Sequence, residues 1–108
     1  PASVEFGPLV HALHAGSSRE QPLQVYGYGG ALHDYSQVVF PAPLTRCASC
    51  HVAGGATPAS AVACLSCHDT EAAAVHAALE TLPDGREACM VCHGPGHDQA
   101  VDVVHGAL

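Results

Sequence analysis

Lysine, isoleucine and tryptophan are absent from this 108-residue chain, methionine occurs once and phenylalanine twice. Without lysine, only Arg19, Arg46 and Arg86 face ten carboxylates, and the formal net charge is −7. That balance argues against nucleic acid and against anionic membrane surfaces as partners. It also disfavours capture of other acidic carriers by long-range attraction. No run of 18 or more apolar residues exists, so no membrane-spanning helix is expected. Nineteen of the apolar residues are alanine, which bury little area each. A chain of this size hides roughly 65% of its unfolded surface even when well packed. The expectation is one domain over residues 1–108 whose centre is not built from side chains alone.

What the chain does have is one motif three times. Cys47-Ala-Ser-Cys50-His51, Cys64-Leu-Ser-Cys67-His68 and Cys89-Met-Val-Cys92-His93 use all six cysteines. C-x-x-C-H is the attachment signature of c-type haem. The two thiols add to the two vinyl groups of one porphyrin, and the adjoining imidazole becomes the proximal ligand of its iron. On a helical turn positions i, i+3 and i+4 share a face, so each pentapeptide can present all three atoms to one side. Three haems c are expected, at 36 residues per haem, with the porphyrins as the core. The haem-free chain is then expected to be unfolded.

Other uses of cysteine fit less well. A structural zinc site needs four ligands, which two C-x-x-C pairs supply, but the third pair and the histidine after every pair stay unexplained. A thioredoxin-like redox motif expects one C-x-x-C beside a βαβ pattern, which is missing.

The pattern along the chain predicts short helices, much irregular structure and little β. Gly7-Pro8 followed by Leu9-Val10-His11-Ala12-Leu13-His14-Ala15-Gly16 reads as a helix with proline in its first turn and glycine as its stop. Residues 21–46 are rich in turns, and the alternation in 24–40, including 35–40, allows one or two short strands. Thr57-Pro58 reads as the start of a helix over 58–67 carrying the second motif. Helices are also expected over 72–82, stopped by Pro83-Asp84-Gly85, over 87–93, and over 98–105 with Gly106 as stop. The motifs are 17 and then 25 residues apart, which is no solenoid period.

The sixth coordination position decides whether an iron carries electrons or reacts. Met90 sits between the two cysteines of its own motif and cannot reach the opposite porphyrin face, and there is no lysine. Histidine or an open site remains. Six histidines lie outside the motifs: His11, His14, His33, His76, His97 and His105. His76 lies eight residues after His68, midway along a predicted helix, and His105 follows His93 by twelve. His11 and His14 share one helix face and can serve two adjacent haems, though capping or surface roles are open to either. His33 is a weaker candidate, and His97 in a Gly-Pro-Gly turn reads as a solvated loop residue.

Beyond the motifs, the chain resembles a known family. Val10-His11-Ala12-Leu13-His14-Ala15-Gly16, Tyr26-Gly27-Tyr28-Gly29-Gly30, Leu32-His33-Asp34-Tyr35-Ser36 and Val39-Phe40-Pro41 running into Leu44-Thr45-Arg46-Cys47 are similar to the outer-membrane decahaem c-type cytochromes of metal-reducing bacteria. So are Ala74-Val75-His76 and Val101-Asp102-Val103-Val104-His105 around the last two motifs. The resemblance implies extracellular electron transfer through closely stacked bis-histidine haems, and it supports His11, His14, His76 and His105 as candidate distal ligands. Family members spread more haems over several domains and are usually lipid-anchored; here no cysteine lies outside the motifs.

The functional expectation is a non-catalytic electron carrier outside the cytoplasm, secreted or at the cell surface, with the periplasm as the alternative. The chain opens at Pro1 without methionine or a leader pattern, which reads as a mature product. Expected partners are other redox proteins, an extracellular acceptor, and further copies of the chain arranged head to tail as a filament. A divalent cation between carboxylates could offset the charge in such packing, although no calcium-loop motif is present. The alternatives are a diffusing trihaem shuttle, a small reductase with one open haem, or a sensor or structural subunit.

Overall fold

A computed structural model describes residues 5–51 and 60–105. Helix α1 (Phe6–Ala15) carries Pro8 in its first turn, where the missing N–H costs no helical bond. It ends at Gly16, whose φ of +39° favours glycine and whose N–H returns to the Ala12 carbonyl. Space demands glycine there as well: a Cβ would strike the Val38 carbonyl oxygen and lie 2.7 Å from the Val38 Cβ.

After a 3-10 turn (Gly16–Ser18), strands β1 (Gln24–Tyr26) and β2 (Leu32–Asp34) pair antiparallel with Val25 opposite His33. The loop between them closes through Gly27 N–H to the Ala31 carbonyl at 2.7 Å. The alternating stretch 35–40 is not a strand. The Asp34 carboxylate accepts the Ser36 N–H at 2.8 Å and the Val38 N–H bonds the Tyr35 carbonyl, so the chain turns immediately after β2.

The first motif lies on a 3-10 turn (Cys47–Ser49). Helix α2 (Ala61–Cys67) carries the second; its N-cap is Ser60, in extended conformation, so it begins later than 58, while the expected Thr57-Pro58 start lies outside the described residues. Helix α3 (Glu71–Leu79) starts at Thr70, whose hydroxyl accepts the Ala73 N–H at 3.1 Å. It stops three residues short of 82 because Thr81 pairs with Glu87 and the Leu82 N–H bonds the Arg86 carbonyl, turning the chain back at Pro83-Asp84-Gly85. Helix α4 (Cys89–His93) holds the third motif, and α5 (Val101–Val104) delivers His105 at its C-terminal end. Both are shorter than the sequence pattern predicts, and the expected stop at Gly106 is outside the described residues.

Among the described residues the architecture is therefore short helices, irregular segments and one two-stranded sheet, as expected. Side chains barely make a core. Among the described residues the buried apolar ones are Ala12, Ala15, Leu23 and Ala100, and no large side chain is fully enclosed. Phe6, Val39, Leu79 and Val91 are more than two-thirds exposed. The chain presents 7578 Å² to solvent, whereas a folded protein of its mass exposes about 5,600 Å².

Candidate haem sites

Each motif is wound so that its histidine follows its first cysteine by one turn. The His51 N–H bonds the Cys47 carbonyl and the His68 N–H bonds the Cys64 carbonyl, both at 2.8 Å. The six thiols form no disulfide. Burial pushes the Cys67 thiol above its usual range, against the pull of the Arg19 guanidinium, and burial with the nearby Glu87 carboxylate raises Cys89. Reactive or zinc-binding thiolates need the reverse. Among the described residues no group of three or more His, Cys, Asp or Glu is arranged around one metal position.

Contacts between the segments bring the motifs side by side. Helix α1 packs on α2, and the Asp69 carboxylate at the end of α2 accepts the Glu20 N–H (2.9 Å) and the Gln21 N–H (2.6 Å) beyond α1. Glu87, just before α4, accepts the first N–H of α2 from Ala61 at 3.0 Å, where the helix dipole favours a carboxylate. Cys47 consequently lies within electrostatic reach of Cys67, and Cys64 of Cys89.

Every motif histidine faces a second imidazole. Ring centroids are 6.1 Å apart for His51 and His11, 6.1 Å for His68 and His105, and 6.2 Å for His93 and His76. For the two near-parallel pairs this is well beyond the separation of rings packed squarely face to face. With metal–imidazole bonds of about 2 Å and a ring radius of about 1.1 Å, two rings bound to opposite faces of one metal ion stand about 6.2 Å apart. The gaps match an iron held between two histidines.

Hydrogen bonding prepares several of these rings. His11 Nδ1 bonds the Gly7 carbonyl at 2.7 Å, and His93 Nδ1 bonds the Gln99 carbonyl at 2.8 Å. A bond from Nδ1–H to a carbonyl leaves Nε2 deprotonated and free to ligate. His76 lies on an open, solvent-facing surface of α3 together with Glu71, Ala72, Val75 and Leu79. Two buried nitrogens, Arg19 Nε and His105 Nδ1, have no hydrogen-bond partner. Arg19 Nε is 3.9 Å from Asp69, too far for a hydrogen bond, and its guanidinium acts on Cys67. The unpartnered Nε donor beside a motif cysteine suits a haem propionate, so the donor set fits the group.

Of the four distal candidates, the structure brings His11, His76 and His105 to motif histidines. His14 is not brought to one: its Nδ1 bonds the Val10 carbonyl at 2.8 Å, and its ring meets Phe40 edge to face at 5.6 Å. His33 lies over Gly27 in the hairpin and His97 is exposed in its turn. Sequence reasoning missed Asp69, Glu87 and Arg19. Only the scarcity of cations could have pointed to Arg19.

Motif cysteines on adjacent turns, with a second imidazole opposite each motif histidine, define the polypeptide of a multihaem c-type cytochrome. The family model described as outer membrane cytochrome MtrC/MtrF-like, domains II/IV, matches residues 1–106, and the chain belongs to that family. The crystal structure of the outer membrane decaheme cytochrome OmcA is similar over 96% of this chain, with 29% sequence identity and a TM-score of 0.63. The chain spans 17% of the OmcA chain. A comparison with curated proteins gave no match. Among the described residues no helix is long and apolar enough to cross a membrane.

Proposed function

We propose that residues 1–108 form one domain holding three haems c and passing electrons along them outside the cytoplasm, without catalysing a reaction of its own. When bound, each haem supplies an iron that alternates between ferric and ferrous. Cys47 and Cys50, Cys64 and Cys67, and Cys89 and Cys92 are the covalent attachments. His51, His68 and His93 are the proximal ligands, opposed by His11, His105 and His76. The single observation carrying this reading is the 6.1–6.2 Å spacing of all three imidazole pairs. Two imidazoles per iron leave no open position for a substrate, which weighs against a reductase. Arg19 receives a propionate, and the exposed apolar side chains are the surfaces that porphyrins cover.

The finer proposal concerns assembly. His14 has its Nδ1 engaged and stands one helical turn from His11, yet no motif histidine of this chain faces it. In our reading it ligates an iron attached to a neighbouring copy, and repetition of that head-to-tail contact builds an extracellular filament with one continuous row of haems. Other redox proteins or an external acceptor lie at its ends; nucleic acid and membrane insertion play no part.

The test is the intact mass and spectrum of the native protein. Mass should equal the polypeptide plus three haems, and all irons should be six-coordinate and low-spin in both oxidation states. Carbon monoxide binding by the reduced wild-type protein would favour the reductase. A stable single copy at high concentration, across salt and calcium, would remove the filament and leave a diffusing shuttle.

A further inference from the structure

The three facing imidazole pairs differ in one respect. The ring planes of His11 and His51 are 14° apart and those of His68 and His105 are 6° apart, but His76 and His93 stand at 90°. The crossed pair has a visible origin. The His93 ring is fixed by its 2.8 Å bond to the Gln99 carbonyl, at the far end of the turn that follows α4. His76 is set independently, by its place on α3. At the first site, by contrast, the His11 ring is fixed within its own helix, by the Gly7 carbonyl.

We propose that the iron between His76 and His93 is held by crossed axial imidazoles, and that this makes the C-terminal site electronically distinct from the other two. The inference rests on the bis-histidine reading of that pair. An imidazole donates π density into the iron d orbital perpendicular to its ring. Two parallel rings raise the same orbital, split the dπ pair, and let the ferric ion place its hole in the raised level. Crossed rings raise both orbitals alike, so the pair stays nearly degenerate and the ferric ion forgoes that stabilisation. The ferrous ion fills both orbitals and gains nothing from the splitting. Ring orientation is thus one of the levers by which ligand placement tunes an iron. The site takes its electron at a more positive potential than it would with parallel rings. Its ferric resonance is a single, strongly anisotropic low-field line, whereas the parallel sites give ordinary rhombic spectra.

Low-temperature EPR of the fully ferric holoprotein tests this. One anisotropic low-field line should accompany two rhombic spectra. The His76→Ala protein should lose the low-field line, gain one high-spin haem and keep both rhombic spectra. Gly96 has a φ of +86° with nothing within 4 Å of a Cβ, so Gly96→Ala strains only the turn that carries the Gln99 carbonyl. In that variant all irons should stay low-spin while the line shifts toward rhombic and the midpoint of that iron falls. An unmoved line in Gly96→Ala would overturn the role given to the Gln99 anchor. Only rhombic spectra in the wild type, together with a high-spin haem in His76→Ala, would overturn the crossed planes and leave the ligand pair standing. No high-spin haem in His76→Ala would overturn both.

Discussion

Helices α1 and α3 each carry a histidine facing a motif histidine, yet they are held in opposite ways. Helix α1 buries Ala12 and Ala15, lies against α2 and is tied down beyond its end by the Asp69 carboxylate. Helix α3 buries no residue, and its Val75 and Leu79 are 51% and 77% exposed. The apolar surface that α1 places against protein, α3 presents to solvent beside His76. In a chain with so little side-chain core among its described residues, one histidine facing a motif histidine is held by packed polypeptide and the other stands on a helix open to solvent.

The most severe way to test that contrast is to remove the haems altogether. With all six cysteines changed to alanine, no attachment remains and global unfolding is expected, because the buried side chains among the described residues are four small or medium apolar residues and one serine. Far-UV circular dichroism should show loss of helix, with α1 retaining more residual amide protection than α3. A native-like spectrum would mean that the polypeptide folds by itself.

Next in size are single-ligand losses. His11→Ala and His76→Ala should each convert one of three low-spin haems to a high-spin form that binds carbon monoxide when reduced. They should differ in hydrogen exchange: α1 stays protected without its iron bond, whereas α3 loosens. Equal loosening of both helices would erase the distinction drawn here.

This difference explains which parts of the protein could be read from its sequence. The cysteines and histidine of each motif are contiguous, so their geometry follows from one helical turn. The stop of α1 was legible because Gly16 is both a helix terminator and the one residue tolerated against Val38. The pairing of His11 with His51 or of His68 with His105 joins residues 40 and 37 positions apart, which no local periodicity encodes. Spacing could not tell His11 from His14; the fold separates them by placing one ring opposite His51 and the other against Phe40. The two short strands allowed within 24–40 are β1 and β2; the alternating stretch 35–40 forms none because the Asp34 side chain competes for the backbone, a choice invisible to an alternation of apolar residues.

The α1 side of the comparison is sharpened at Asp69. Burial alone would raise its pKa, but the N–H groups of Gln21 and Glu20, with the Arg19 charge, hold it below the usual carboxylate range. A depressed folded pKa contributes stability that is full above the unfolded value of about 4 and is lost as pH falls through the folded one. Asp69→Asn should therefore lower stability at neutral pH by about 1 kcal/mol, the value of charge-assisted hydrogen bonds discounted for solvent screening. Urea unfolding of both holoproteins should show that difference shrinking toward pH 3. A difference independent of pH would mean that the carboxylate's charge is not what fastens α1.

The smallest effect probes α3 through its cap. Thr70 Oγ1 accepts the Ala73 N–H at 3.1 Å, and Glu71 adds a negative charge to the first turn. Thr70→Ala should cost about 1 kcal/mol, the usual value for losing such a cap. Because α3 has no buried face to compensate, the loss should appear locally, as faster exchange at its amides, with Thr70→Asn restoring protection. The matching change at α2, Ser60→Ala, removes a longer 3.4 Å bond from a helix that is also braced by α1 and by Glu87 at its first N–H. Its exchange should change less. The reverse order would show that α3 draws its stability from packing after all, and that the two helices whose histidines face a motif histidine are alike.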